Sequence, residues 1–190
     1  MENMTDTIKF LHSSDLQIGM TRWFLSSEAQ ARFDDDRIRS IEKMGEVARA
    51  HGCRFIVVAG DVFEHNSLHQ RTTGRALDAL KALPVPVYLL PGNHDPLTAD
   101  SIFYRVENIE GVTVLKDTSV VEVLPGVEIV GAPLLTKTAT TDLVRAALDP
   151  LKPTEKIRIA VGHGQAESRS SEASPDLIDL QFVESKLADA

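Results

Sequence analysis

Four short apolar runs, each followed by residue types that bind metal ions, place the strongest constraint on how this chain folds. The runs cover residues 8–11, 55–59, 85–90 and 157–161. Continuous apolar runs of this length are typical of strands buried on both faces of a parallel sheet. In open α/β sheets, ligands collect outside the carboxyl ends of the strands. The polar residues that follow the four runs are therefore predicted to share one site.

The third run leads into residues 91–96, Pro-Gly-Asn-His-Asp-Pro, so a buried strand ends by delivering an amide, an imidazole and a carboxylate to one point. Buried polar groups are costly without partners, and two prolines with a glycine restrict the turn. The other runs lead to Asp15, Asp61 and His163. With Asn93 these residues form a mixed oxygen and nitrogen ligand set, which favours manganese, iron or zinc over calcium.

Helical segments separate the first three runs. One helix is predicted to begin at Ser26 or Ser27 and to stop at Gly52, and a second to be capped by Ser67 and ended by Pro84. Alternating strands and helices are typical of right-handed crossover units in a parallel sheet. The fold class is therefore predicted to be α/β.

Beyond residue 96 the pattern changes. Three β-rich segments, 112–115, 120–124 and 127–130, predict a meander with a tight turn at Pro125 and Gly126. The remaining predictions are short helices over 101–106, 141–148 and 177–187 and a polar, serine-rich mobile loop over 165–175.

Composition narrows the class of protein. A chain of 190 residues with 43% hydrophobic and 25% charged residues predicts one globular domain spanning 1–190. Cys53 is the single cysteine, which excludes an intrachain disulfide and a cysteine-rich zinc site. No signal-like segment and no apolar run of about 20 residues is present, so we expect a cytoplasmic protein without a membrane partner.

The net charge of -8 argues against a generic nucleic-acid binder. Arg32, Arg37 and Arg39 lie beside the three aspartates at 34–36, which predicts a solvated helix surface. An enzyme that acts on phosphates through bound cations tolerates an acidic sequence, because the metals supply the positive charge.

The candidate ligands suggest a mechanism. Two ions about 3.5–4 Å apart clamp the attacking and leaving oxygens of a phosphate ester, and Asp61 is placed to bridge them. His94 is the candidate general acid, with Asp95 holding its ring. Arg22 and Trp23 either clamp a nucleic-acid strand by stacking or anchor their loop on the core.

Four segments carry a family resemblance: residues 10–15 (Phe-Leu-His-Ser-Ser-Asp), 60–63 (Gly-Asp-Val-Phe), 92–95 (Gly-Asn-His-Asp) and 162–164 (Gly-His-Gly). In this order they resemble the calcineurin-like metallophosphoesterases, and within them the SbcD-type nuclease subunits of DNA double-strand-break repair. The resemblance implies a four-layer α/β/β/α sandwich and a centre of two divalent ions, Mn²⁺ first, with Fe, Zn or Mg as alternatives. It also implies DNA as substrate, an SMC-like ATPase partner of the SbcC type, and a homodimer.

The chain departs from the family pattern in three places. Gln17 stands where the family has a histidine, and it either ligates through its oxygen or is a solvated loop amide. Glu64 stands where the nuclease branch often has a second catalytic histidine, and His65 either takes over that role or begins the next helix. The chain also stops at Ala190 before the family's closing histidine segment. We therefore expect an amino-terminal fragment that lacks the last strands and has little activity alone.

For the complete protein these residues predict metal-dependent hydrolysis of DNA phosphodiesters by in-line attack of a bridging hydroxide. Two alternatives stay open. One is a phosphomonoesterase or cyclic-nucleotide phosphodiesterase on the same scaffold, which the acidic charge favours. The other is a degenerate subunit that binds a partner without catalysis, which Gln17 favours.

Overall fold

Two β-sheets lie at the centre of the computed structural model, which describes residues 7–169 and 174–188. Within those residues the strands are β1 (Leu11–Ser13), β2 (Ile56–Ala59), β3 (Val87–Leu90), β4 (Val112–Val114), β5 (Val120–Leu124), β6 (Val127–Ala132) and β7 (Ile157–Gly162). The α-helices are α1 (Ser27–His51), α2 (Gln70–Lys81), α3 (Phe103–Val106), α4 (Leu143–Leu148) and α5 (Leu180–Ala188).

The first sheet has the order β1-β2-β3-β4 with every pair parallel. Its register places Leu11 opposite Ile56, and Ile56 opposite Val87. Every residue of β2 and β3 is buried, as their continuous apolar runs predict. The first strand begins at Leu11, so the prediction of a strand over 8–11 was wrong by about three residues.

The second sheet has the order β5-β6-β7, with β5 antiparallel and β7 parallel to β6. The predicted meander is correct only for β5 and β6, which the turn at Pro125 and Gly126 connects. It was wrong for β4, which pairs parallel with β3 in the first sheet. The short α3 lies between β3 and β4 and makes their connection a crossover.

Alternating side chains divide the core into layers. Ile56 and Val58 pack with residues of α1 and α2 on one face of the first sheet, whereas Val57 points to the second sheet and shares a cluster with Ile129. On the far face of the second sheet, Val130 packs with residues of α4 and α5. The layers therefore run α/β/β/α, and the predicted fold class is confirmed.

The predicted caps are correct for α1 but not for α2. Ser26 caps α1 by accepting a hydrogen bond from Ala29 N, and Gly52 ends it with a left-handed φ of 66°, both as predicted. The prediction that Ser67 caps α2 was wrong. His69 caps this helix by accepting from Arg71 N, while Ser67 Oγ lies beside the His65 ring.

In the segment predicted as a loop over 165–175, a short 3-10 turn covers Glu167–Arg169 and Ala166 forms a bridge with Ile178. Residues 170–173, on which the prediction of a mobile loop partly falls, lie outside the described residues. The last helix begins at Leu180 instead of 177. Among the described residues, no helix is both long and apolar enough to cross a membrane.

Arg37 does not belong to a fully solvated surface, because its guanidinium is half-buried. Its NH1 donates a hydrogen bond to the Leu16 carbonyl at 2.5 Å, and its guanidinium carbon lies 4.7 Å from the Phe33 ring centroid. Burial, together with the nearby charge of Arg22, lowers the pKa of Arg37. This side chain ties α1 to the loop that follows β1.

Candidate metal centre

The turns after β1 and β2 hold three non-glycine residues in the left-handed region of φ. They are Asp15 at 55°, Gln17 at 43° and Asp61 at 52°. Such conformations are uncommon outside glycine and are concentrated at functional sites. Hydrogen bonds between the two turns hold them in place, from Asp15 N to Gly60 O at 3.1 Å and from Gln17 N to Asp61 O at 2.9 Å.

These turns and the end of β7 bring Asp15, Asp61 and His163 together. One ligand atom from each side chain lies within 4.8 Å of the other two. Asp15 and Asp61 follow strands of the first sheet and His163 follows a strand of the second. The structure therefore places these predicted residues at one point between the carboxyl ends of strands from both sheets.

The His163 ring is fixed by three oxygen atoms. Its Nδ1–H donates to Ala59 O at 2.8 Å, and its Nε2 lies 3.0 Å from Asn93 Oδ1 and 3.4 Å from Asp61 Oδ1. The hydrogen bond to Asp61 raises the pKa of His163 to about 9. With Nδ1 committed to a backbone carbonyl, Nε2 is the ring nitrogen that faces the carboxylates, the usual arrangement of a metal-ligating histidine.

Asp61 is the most buried member of the cluster, with 3% of its surface exposed. Burial favours the neutral carboxyl, but hydrogen bonds from His163 and from the backbone N–H of His94, the latter at 3.0 Å, outweigh it, so the pKa of Asp61 is lowered. Asp61 therefore stays ionised at neutral pH, as a cation ligand must.

Two glycines allow the strand ends to approach this closely. A Cβ atom on Gly60, whose φ is 88°, would lie 2.2 Å from His163 Cγ. A Cβ on Gly92 would lie 2.2 Å from Asp61 Oδ1 and 2.4 Å from Asp61 N. The glycines of both motifs are thus required by space inside the cluster.

Asp95 does not hold the His94 ring, contrary to the prediction. It is fully buried, and its two oxygens accept hydrogen bonds from Gly92 N at 2.7 Å and Phe63 N at 2.8 Å. Burial raises the pKa of Asp95 to about 6, although these two hydrogen bonds oppose the rise. Asp95 joins the turn after β3 to the turn after β2, and its part in catalysis stays a prediction.

The His94 ring is held by Glu64 instead. Its Nδ1 lies 3.2 Å from the Glu64 carbonyl oxygen and 3.6 Å from Oε1, and its Nε2 lies 4.0 Å from Asp61 Oδ2. Glu64 Oε2 is buried and has no hydrogen-bond partner among the described residues. Nδ1 is thus directed toward Glu64, which leaves Nε2 facing the cluster.

A cavity of about 580 Å³ opens onto this cluster, lined by His12, Asp15, Asn93 and His163 among others. The His12 side chain is exposed and lies at the wall of this cavity. Gln17 has its backbone fixed beside Asp61, and ligation by its amide stays a prediction.

The remaining predicted site residues lie outside the cluster. His65 is exposed with its ring 3.4 Å from Ser67 Oγ, and the described residues give it no contact with the carboxylates. Trp23 is 95% exposed, so it does not anchor its loop on the core. Arg22 lies beside it, with its backbone N–H bonded to Gln30 Oε1.

Asn66 is a structural element of the site that sequence reasoning missed. Its Nδ2 donates to Pro96 O and Thr98 Oγ1, and its Oδ1 accepts from Ser101 Oγ and Ile102 N, at 2.8–3.2 Å. This amide joins the loop after Asp61 to the loop after His94. The only signal in the sequence is an asparagine close behind the 60–63 motif.

The donor set fits a divalent cation. Two carboxylates and an imidazole converge within 4.8 Å. The Asp61 carboxylate raises the pKa of His163 to about 9, and the same negative charge would attract a metal cation. Oxygen and nitrogen donors suit Mn²⁺, Fe²⁺ and Zn²⁺. Asp15, Asp61 and His163 thus form a candidate metal-binding site.

A model of the calcineurin-like phosphoesterase family matches residues 8–188. Because this is nearly the whole length, the chain belongs to the calcineurin-like phosphoesterase family. The DNA double-strand break repair protein Mre11 of Archaeoglobus fulgidus is 27% identical over 112 residues, which is 57% of this chain and 24% of that protein. The match thus spans about a quarter of that relative. A solved crystal structure superposes with a TM-score of 0.57 at 15% identity, over 94% of this chain and 80% of its own, which supports the fold.

Proposed function

We propose that this chain carries the active site of a divalent-metal-dependent phosphodiesterase that acts on DNA. The observation that carries this proposal is the convergence of Asp15, Asp61 and His163 within 4.8 Å, with His94 directed toward the same point by Glu64. The similarity to a DNA double-strand break repair protein supports DNA as the substrate.

Asp15, Asp61 and His163 would hold the metal, and Asn93 and Gln17 are further candidate ligands. Divalent ions bound there lower the pKa of a water molecule and offset the negative charge that develops on the phosphate oxygens. We predict two ions, with manganese the first candidate.

His94 is proposed as the general acid. Water oxygen bonds to phosphorus while the bond from phosphorus to the leaving oxygen breaks, and the leaving oxygen takes the proton from His94 Nε2. The Nδ1 contacts with Glu64 at 3.2 and 3.6 Å set the orientation of the ring. One proton of the attacking water stays on the new phosphate oxygen, the other passes to solvent, and His94 takes up a proton from solvent for the next turnover.

A monoesterase or small cyclic-nucleotide phosphodiesterase is the second candidate. It is favoured by the net charge of -8, which opposes the approach of long polyanions. An SbcC-type ATPase partner, homodimerisation and a cytoplasmic location stay predictions from the resemblance and the sequence.

The proposal is tested by measuring bound manganese and Mn²⁺-dependent hydrolysis in parallel. The substrates are a DNA oligonucleotide, bis(p-nitrophenyl) phosphate as a small diester, and p-nitrophenyl phosphate as a monoester. Asp61→Asn is expected to lose bound manganese and activity, whereas Asp78→Asn, an exposed aspartate on α2, is expected to keep both.

Slow but measurable hydrolysis, with both diesters preferred to the monoester, is the expected result. A preference for the monoester would replace the proposal with the second candidate. Manganese bound without hydrolysis of any substrate would contradict both and favour the degenerate, non-catalytic alternative.

A further inference from the structure

Two aromatic rings stand in solvent on the loop that joins β1 to α1. Trp23 is 95% and Phe24 64% exposed. Their ring centroids lie 5.8 Å apart, with the ring planes at 89°. Each ring offers about 150–250 Å² of surface for burial, and exposed apolar surface of this kind marks an interaction site. We call the two rings the aromatic platform.

The loop that carries the aromatic platform is braced. Arg22 N donates to Gln30 Oε1, Gln30 Nε2 donates to Met20 O, and Leu25 N donates back to Arg22 O, at 2.9–3.0 Å. The Gln30 side chain on α1 thus holds the backbone just before the rings, and the bond from Leu25 to Arg22 closes the turn that carries them. The backbone of the platform is therefore held in place, which limits the backbone entropy lost when the rings bind a ligand.

The same loop begins at the candidate metal centre. Gln17 N bonds to Asp61 O and Ile18 N to Val62 O, so the start of the loop runs beside the residues that follow β2. Roughly six residues separate Gln17 from Trp23, which limits their separation to about 20 Å. This is the rise of about six stacked nucleotides. About six nucleotides are therefore enough to connect a phosphate at the metal centre with a base at the platform.

We propose that the aromatic platform binds an unpaired nucleobase of the same strand whose phosphodiester lies at the metal centre. This inference rests on the proposed function and narrows it to nucleic acid with unpaired bases, either single strands or frayed ends. Base–aromatic stacking is available to every base, because each has a π-face. Inside a duplex the faces are covered by neighbouring pairs, so an exposed ring stacks only where bases are free.

The net charge of the chain does not exclude this class of ligand. At a net charge of -8 the chain gains little from long-range attraction to phosphates. Stacking supplies affinity that does not depend on net charge, and Arg22, next to Trp23, places a cation beside the platform. An acidic protein can hold a strand in this way.

The test measures binding and hydrolysis separately. Trp23 is the single tryptophan of the chain, so its emission reports directly on the platform. In a His94→Ala background, which keeps the strand intact, a fluorescein-labelled thymidine oligonucleotide is expected to quench this emission. Anisotropy of the label measures the affinity for the oligonucleotide. We expect Trp23→Leu to bind it at least about five-fold more weakly than the parent, and Trp23→Phe to bind it about as tightly as the parent. Phe10→Leu, which removes a 38% exposed ring at the amino end of β1, is the matched control and should bind normally.

With His94 restored, Trp23→Leu is expected to hydrolyse bis(p-nitrophenyl) phosphate normally and to lose kcat/KM on the oligonucleotide by the same factor as it loses binding. Unchanged oligonucleotide affinity in Trp23→Leu, or no oligonucleotide binding by the parent, would overturn the inference. An equal fall in kcat/KM on the oligonucleotide and on bis(p-nitrophenyl) phosphate would also overturn it, because Trp23 would then have only a structural role. A concentration-dependent emission shift without oligonucleotide would assign the platform to contacts between protein copies instead. If the unaltered chain hydrolyses neither diester, the proposed function fails, and the anisotropy alone decides on the platform.

Discussion

Replacing Gly92 by alanine isolates the geometric demand of the metal centre. The added Cβ would lie 2.2 Å from Asp61 Oδ1 and 2.4 Å from Asp61 N, and an ordinary contact is at least 3.4 Å. The two turns must therefore separate by about 1 Å. Because Asp61 Oδ1 also accepts the backbone N–H of His94, the shift disturbs a candidate ligand and the candidate acid together.

Gly92→Ala is expected to lower the stability of the fold only moderately but the rate of hydrolysis severely. Overpacking of this kind destabilises by about 1–3 kcal/mol, whereas a 1 Å misplacement of catalytic groups lowers the rate about 100-fold. We expect Gly92→Ala to remain folded, with manganese affinity and hydrolysis falling far more than stability does. Urea unfolding, calorimetric titration with Mn²⁺ and hydrolysis of bis(p-nitrophenyl) phosphate measure the three quantities.

Gly74→Ala is the matched control. Gly74 lies within α2, and a Cβ atom added there would meet nothing within 4 Å. Alanine at this position should stabilise the helix by about 1 kcal/mol and leave metal binding unchanged. A Gly92→Ala protein with the manganese affinity and hydrolysis rate of the unaltered chain would refute the argument that this turn sets the ligand geometry.

Three further predictions concern stability. The pKa of His163 is raised from 6.5 to about 9 by its hydrogen bond to Asp61. In EDTA the protonated ring therefore stabilises the fold by about 3 kcal/mol at most, fully below pH 6.5 and no longer once pH has risen through 9. The melting temperature of the unaltered chain should fall across this pH range, and that of His163→Gln should not show this fall. The pKa of Asp95 is raised from 3.8 to about 6 by burial, so its ionisation above pH 6 destabilises the fold. Lowering the pH from 6 toward 3.8 should therefore raise the free energy of unfolding of the unaltered chain relative to that of Asp95→Asn. Glu128 and Arg158 form an ion pair of 2.7 Å with only 6% and 9% of their side chains exposed. Glu128→Ala should cost about 3–5 kcal/mol in urea unfolding, and adding Arg158→Met should recover part of it.

The sequence predicted the strands that end at the site better than the partners of those strands. β2 was predicted to within one residue and β3 to within two, because four or more consecutive apolar residues define a strand buried on both faces. The sheet that holds β4 was mispredicted, because pairing across more than 20 residues leaves no local pattern. The convergence of Asp61 and His163 was predictable because strand polarity brings carboxyl ends together.

The finer geometry of the site was not predictable in the same way. Glu64 takes the part that was expected of Asp95, because which carboxylate meets the His94 ring depends on how two turns dock. The cap at His69 depends on a ring orientation that no spacing rule contains. The left-handed φ of Asp15 and Asp61 also left no local signal, since neither residue is a glycine.

The hydrogen bonds of the Asp95 carboxylate have a consequence for how the centre comes apart. Its two oxygens bind the amides of Phe63 and Gly92, which lie on separate turns. Neither turn can open without leaving a buried acceptor or donor unpaired. We therefore expect both amide protons to report the same free energy of opening in hydrogen exchange, so that the candidate ligands of the two turns are released in a single cooperative event.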